Sequence, residues 1–347
     1  MNLIIISVVL SSLSLGTTLV FSSSHWILAW IGLEINSLAI LPFMTQPHFS
    51  RPVEASTKYF LAQASASALI LFAIVFNAWT TGEWFINTMS NPLAVAMAIV
   101  GLMMKMGVAP LHTWLPEVMQ GVTLLTCLIM STWQKLAPFA LLVQVTPPDS
   151  KMLLVMGLLS ILVGGWGGLN QTQLRKLMAY SSTAHMGWVI VILQFSETIA
   201  FLTLIIYAIM TSSVFILFAL SKATTINSLS ISWSKAPVIT TLTPFIVLSL
   251  GGMPPLTGFG PKWMILHTLS TFNLLVLATF AALSSLISLY FYLRVAHSFA
   301  LVIAPNSMTT ATLWRIVNLH LTLYFAIPTV LTLVLLPIIV SILSSFF

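Results

Sequence analysis

Apolar residues in this chain come in long unbroken runs, near residues 3–21, 25–45, 59–79, 92–120, 122–145, 152–169, 174–194, 198–220, 237–271, 273–301 and 321–345. Most of them match the length of about 20 residues that a helix needs to cross a hydrocarbon core, so the pattern predicts an all-α polytopic membrane protein with about eleven transmembrane helices. The fourth and ninth runs are too long for one crossing. Each is punctured by glycine and proline, at Lys105-Met106-Gly107-Val108-Ala109-Pro110 and between Gly251 and Lys262, and each reads as two half-helices around a break. Breaks in spans four and nine are five spans apart. The chain therefore reads as two five-helix units in series, residues 1–145 and 146–303, followed by a loop and final helix over 304–347. Units of odd span count lie in opposite topologies, so the two form inverted repeats, the plan in which transporters keep ion sites at broken helices.

Composition sharpens this picture. Twelve basic and six acidic residues among 347 make 5% charge, too little to cover a water-soluble surface, which ordinarily needs about 25%. A single cysteine, Cys127, excludes a disulfide framework and a thiolate metal cluster held by this chain alone. No HxxxH or HExxH pattern occurs, and no helix carries a histidine pair that could clamp a haem. Gly165-Trp166-Gly167-Gly168 follows no strand, so it reads as close helix packing rather than a dinucleotide loop. The basic residues are scattered singly, which argues against nucleic acid as a partner and for topology markers. Arg51, Lys58, Arg175, Lys176, Lys222, Lys235, Arg294 and Arg315 fall on the side of the N-terminus, and Lys151 on the other. The positive-inside rule makes the N-terminal side the matrix or cytoplasm and puts the C-terminus across the membrane. Met1 to Ile6 enters an apolar run at once, without a presequence, as expected of a chain made inside the organelle that uses it.

Sorting the charges by depth leaves Glu34, Lys105, Lys135 and Lys262 inside spans. Glu34 lies roughly 13 Å from either end of its helix, out of reach of water. Burying such a group costs at least about 2.5 to 3.5 kcal/mol, so it faces the protein interior and commonly serves transport. A structural ion pair that only fixes helix packing is the competing explanation, and it leaves at least two of three lysines without a carboxylate. Gly107 and Pro110 put Lys105 at the C-terminal, negative end of a half-helix. Pro261 puts Lys262 at the positive start of another, where the dipole opposes an ammonium. Pro138 frees the carbonyl of Gln134 beside Lys135. An opposite charge at about 4 Å is worth about 4 kcal/mol at an effective dielectric of 20, and two lysines about 10 Å apart repel by roughly 1.7 kcal/mol. Separating Glu34 from Lys105 would thus let Lys105 act on Lys135, and Lys135 on Lys262. His112, His185 and His267 are further relay candidates, with Thr126 and the hydroxyls of Tyr180 to Thr183 as weaker ones.

Five ordered motifs then carry a resemblance: Trp30-Ile31-Gly32-Leu33-Glu34-Ile35-Asn36, Lys105 to Glu117, Gln134-Lys135-Leu136-Ala137-Pro138, Arg175 to Gly187, and Gly251 to Lys262. With them the chain resembles the antiporter-like membrane subunits that respiratory complex I shares with multisubunit cation/proton antiporters. The resemblance implies that Glu34 and Lys105 form a coupled ion pair, that Lys135 is the central proton holder, that Lys262 is the outlet and that His185 lies on a hydrophilic axis. It implies proton pumping across the mitochondrial inner membrane, with NADH, FMN, iron-sulfur clusters and ubiquinone bound on other subunits, no cofactor or metal on this chain, and membrane-arm subunits and lipids as partners. Longer members carry three further helices before the first span; this chain is similar to the shortened animal form. A self-standing cation/proton antiporter and a non-transporting scaffold are the rival functions.

Overall fold

A computed structural model describes residues 3–46, 48–146, 151–230, 232, 237–301 and 326–337. The expected markers Lys235, Arg315 and Asp149, and the chain on either side of residues 326–337 in the last predicted span, lie outside them. The described chain is helical throughout: α1 Leu3–Ser22, α2 Trp26–Met44, α3 Ser50–Thr81, α4 Pro92–Met106, α5 Trp114–Gly121, α6 Leu124–Ser131, α7 Trp133–Val145, α8 Lys151–Gly168, α9 Leu174–Leu193, α10 Glu197–Ser221, α11 Ile226–Ser230, α12 Pro237–Gly251, α13 Phe259–Thr271, α14 Leu275–Leu301 and α15 Ala326–Pro337. Seven of the described spans are long and apolar enough to cross a membrane unaided, the joined α6–α7 segment among them. The remaining predicted spans differ for identifiable reasons. Those containing α4–α5 and α12–α13 are broken into pieces of 8 to 15 residues, and α9 carries Arg175, Lys176 and the polar stretch Tyr180 to His185.

Large apolar side chains point outward, Leu61, Phe72, Trp79 and Phe280 among them, which suits lipid and not water. Outward hydroxyls donate to their own helix: Ser7 to the Ile4 carbonyl at 2.7 Å and Ser11 to that of Val8 at 2.9 Å. Polar residues go inward instead, and α9 has no exposed residue anywhere along its length. Helix α3 starts nine residues before the predicted span. Glu54 and Lys58 pair at 2.8 Å one turn apart, and Lys58 also holds Glu117 of α5 at 2.8 Å, which carries the helix beyond its apolar part.

The chain divides into two compact units, residues 1–156 and 157–347. In the first, α1 meets α2 where Gly16 faces Gly32; a Cβ on either would sit 3.0 Å from the other's carbonyl oxygen. The loop before α2 pairs with the loop before α4 through Trp26 N–H to the Trp84 carbonyl and Ile86 N–H to that of Ser24. In the second, α8 meets α9 where Gly157 faces Gly187. The loop before α9 pairs with the loop before α11 through Leu174 N–H to the Thr224 carbonyl and Ile226 N–H to that of Thr172. The Gly165 to Gly168 stretch packs tightly as well, Gly167 against the Tyr180 ring and Gly168 against Phe291. A Gly187→Leu substitution forces its side chain into Ser160 and the Gly157 carbonyl. It is expected to destabilise the fold by about 1–3 kcal/mol, measured as a lower thermal midpoint of the detergent-solubilised protein; an unchanged midpoint would show that α8 and α9 separate without cost.

Candidate functional site

Both helix breaks end their first half in the same way. Gly107 and Gly252 take left-handed conformations, φ 74° and 77°, which a glycine adopts without steric cost. Their N–H groups return to the carbonyls of Met104 and Ser249, and the next residues, Val108 and Met253, return to Met103 and Leu248. These are Schellman turns, which close off two of the otherwise orphaned carbonyls at each helix end. Away from water the remaining ones still need donors. At the first break Gln63 Nε2 donates to the Lys105 carbonyl at 3.5 Å, and Trp114 Nε1 adds a second bond, at 3.2 Å, to the Met104 carbonyl that Gly107 already closes. At the second, Lys262 itself supplies the donor: its Nζ lies 2.6 Å from the Gly251 carbonyl.

That bond corrects the sequence expectation for Lys262. Its Cα belongs to the first turn of α13, but the side chain reaches back to the C-terminal end of α12, where the helix dipole favours an ammonium rather than opposing it. Lys105, in the last turn of α4, occupies the same kind of end from its own helix. The two lysines arrive at equivalent places by different routes.

In the first unit Lys105 and Lys135 are 6% and 2% exposed and line one small cavity together with Tyr59, Gln63, Trp114 and Gln134. The Lys105 Nζ has no hydrogen-bond partner among the described residues. Glu34, midway along α2, takes a 3.3 Å hydrogen bond from Ser37. The ion pairs that the structure shows closer than 4.0 Å, those of Lys58, do not join Glu34 to Lys105. Gln134 Nε2 donates to the Asn36 carbonyl at 3.0 Å and so ties the helix of Lys135 to the helix of Glu34. The fifth predicted span is interrupted at Thr132, between α6 and α7, while Pro138 sits within α7 and withholds an N–H from the Gln134 carbonyl.

In the second unit a cavity is lined by His185, Thr203, Tyr207 and Lys262 among apolar neighbours. The His185 ring lies 5.4 Å from that of Tyr207. His112 is buried in the first break with Nδ1 3.3 Å from the Pro110 carbonyl and does not line the lysine cavity. His267 is exposed beside Trp263 and lies outside the second cavity. Thr126 bonds to Thr123 at the start of α6, away from both cavities. Reading charges alone overlooked Tyr59, Gln63, Trp114, Gln134 and Tyr207. Their signal was present: a tyrosine hydroxyl, an indole N–H or a glutamine amide in a membrane helix needs a partner as much as a charge does.

Comparison with known proteins places the whole chain in a family. Residues 23–288 match the family model described as NADH:quinone oxidoreductase/Mrp antiporter, TM, and residues 289–343 match NADH dehydrogenase subunit 2 C-terminus. The NADH-ubiquinone oxidoreductase chain 2 of Tetraodon nigroviridis is 56% identical over 337 residues, 97% of each chain. A chain in the structure of respiratory complex I from Thermus thermophilus superposes with a TM-score of 0.78 at 28% identity, covering 95% of this chain and 78% of that one. A chain of the Mrp complex from a Dietzia species shares the fold, with a TM-score of 0.73 at 17% identity over 83% of this chain and 59% of that one. The chain therefore belongs to the NADH:quinone oxidoreductase/Mrp antiporter membrane family and, within it, to the group of NADH-ubiquinone oxidoreductase chain 2.

Proposed function

We propose that this chain is a proton-translocating membrane-arm subunit of respiratory complex I, driven by electron transfer from NADH to ubiquinone in neighbouring subunits. The observation that carries the proposal is the burial of Lys105 and Lys135 around one cavity at a helix break, in the unit that also holds the mid-helix carboxylate Glu34. Glu34 sets the charge balance at Lys105, and Lys105 in turn sets the proton affinity of Lys135 by repulsion. In the second unit Lys262 and His185 hold and release the proton around their own cavity. His112 serves at most to shape the first break. A self-standing cation/proton antiporter would use the same groups, and the Mrp likeness concerns the fold; the identity to chain 2 relatives over 97% of the chain favours the respiratory subunit.

The proposal extends to the architecture. The two units are copies of one five-span plan within about eleven spans, counting 1–145, 146–303 and a C-terminal piece 304–347. Supporting this are the matched glycine contacts of α1–α2 and α8–α9, the matched loop pairings, and the matched Schellman turns at the breaks. NADH, FMN, iron-sulfur clusters and ubiquinone are held by other subunits; other membrane-arm subunits and lipids surround this chain, and nucleic acid does not. The protein resides in the mitochondrial inner membrane with its N-terminus in the matrix and its C-terminus facing the intermembrane space.

Two substitutions test the transport reading in the assembled complex. Lys135→Met keeps a similar side-chain volume and is expected to reduce NADH-driven proton uptake into sealed vesicles by about a hundredfold or more, the low end of proton-transfer contributions, at unchanged complex content; full pumping would leave a scaffold role. Glu34→Gln removes the charge that acts on Lys105 and is expected to slow pumping by a smaller factor, about fivefold for roughly 1 kcal/mol. Sodium-dependent counterflow in the same vesicles, without NADH, would instead select the antiporter.

A further inference from the structure

We propose that Gly252 is a positioning residue for Lys262: its missing side chain leaves the space in which the lysine ammonium lies against the end of α12. This rests on the reading of Lys262 as a proton carrier. Gly252 is left-handed, with φ 77°, and its N–H closes on the Ser249 carbonyl at 3.0 Å. That turn does not by itself demand glycine, because asparagine also takes the left-handed conformation at helix ends. The surroundings add the demand. A Cβ on Gly252 would lie 2.9 Å from both Nζ and Cδ of Lys262 and 3.0 Å from its Cε.

Those three atoms form the far part of one flexible side chain. Atoms in contact keep about 3.5–4.0 Å between carbons, so an added Cβ would make the lysine, rather than any backbone, withdraw by roughly 0.5–1 Å. The Nζ stands 2.6 Å from the Gly251 carbonyl, the bond that holds the ammonium at the helix end. The same side chain lines the second cavity with His185, so the seat beside Gly252 also fixes where the lysine stands in the cavity wall. A reacting group displaced by about 1 Å loses up to about a hundredfold in rate. Gly252 thus governs the carrier's placement without holding a proton itself.

Two other left-handed glycines separate this role from the turn itself. At Gly107, φ 74°, the three atoms nearest to an added Cβ belong to Leu115 and Trp114, and none to a lysine. The first break therefore uses its glycine for the turn, and the second uses it for the lysine as well. Gly82 ends α3, returns its N–H to the Ala78 carbonyl at 2.9 Å and has the same φ of 77°, yet an added Cβ there meets nothing within 4 Å. It is exposed. Gly82→Ala carries the backbone cost of a left-handed alanine with nothing in the way, and so serves as the control.

The experiment compares NADH-driven proton uptake in the assembled complex, in sealed vesicles at matched flavin content, for Gly252→Ala, Gly82→Ala and Lys262→Met. Gly252→Ala is expected to slow uptake by about tenfold, the low end for a hydrogen bond to a charged group, with the KM for quinone unchanged, and Gly82→Ala to match wild type. A second readout is the thermal midpoint of the solubilised complex: the drop caused by Gly252→Ala is expected to shrink in the Lys262→Ala background, where the space is vacated. Normal uptake in Gly252→Ala beside a loss in Lys262→Met would overturn the inference and leave the transport reading standing. Normal uptake in both would remove the reading of Lys262 as a carrier and the inference with it. An equal midpoint drop with and without the lysine side chain would trace the effect to the backbone of the break and overturn the inference. Should Gly252→Ala fail to assemble, Gly252→Asn, which enters the turn at lower backbone cost, decides: slowed uptake supports the proposal and normal uptake overturns it.

Discussion

A helix that stops inside hydrocarbon leaves carbonyls with no water to turn to, and in this protein the answer to that problem is also the candidate machinery. Each break closes on a left-handed glycine and a pair of returning N–H groups, and the carbonyls still open draw in side-chain donors. Gln63 comes to the first break, where Trp114 also reinforces a carbonyl the turn already closes, and the Lys262 ammonium comes to the second. A polar group recruited to satisfy a helix end is already desolvated and already close to the other polar groups recruited there. The small cavities beside Lys105 and Lys262 follow from the same demand, because Gly and Pro interrupt the packing that an unbroken helix would provide.

The distribution of polarity inverts that of a soluble bundle. Helix α9, with its run from Tyr180 to His185, is the element with no exposed residue, while α14 and α1 carry apolar side chains outward. Outward serines remain tolerable because they donate to carbonyls of their own turn. Close contacts between glycines replace the hydrophobic drive that water would supply, holding α1 to α2 and α8 to α9 by van der Waals packing. This rigid packing keeps Glu34 on α2 and His185 on α9 at fixed positions within their own units. Gln134 adds a polar strap, bonding the helix of Lys135 to the backbone of α2 two residues beyond Glu34.

Expectation and structure part company most usefully at Lys262 and at Thr132. Residue spacing assigns Lys262 to the start of a half-helix, which is where its backbone lies, but a flexible four-carbon stem lets the ammonium act at the end of the preceding one. Spacing gives one continuous fifth span in which Pro138 only frees the Gln134 carbonyl, yet the helix yields at Thr132 while Pro138 stays inside α7. Charges were conspicuous in so apolar a chain, whereas Tyr207, Gln134 and Trp114 were masked by residues of the same types elsewhere.

By itself the sequence determined the helical membrane class, the two breaks and the identity of the buried charges, because hydrocarbon penalises every polar residue and makes each exception visible along the chain. Tertiary structure alone decided which exceptions meet. Lys105 shares a cavity with Lys135 thirty residues away, and Tyr207 stands against His185 from another helix. Such meetings depend on how helix faces are turned toward one another, which is set by the sum of many packing contacts and by no residue taken alone.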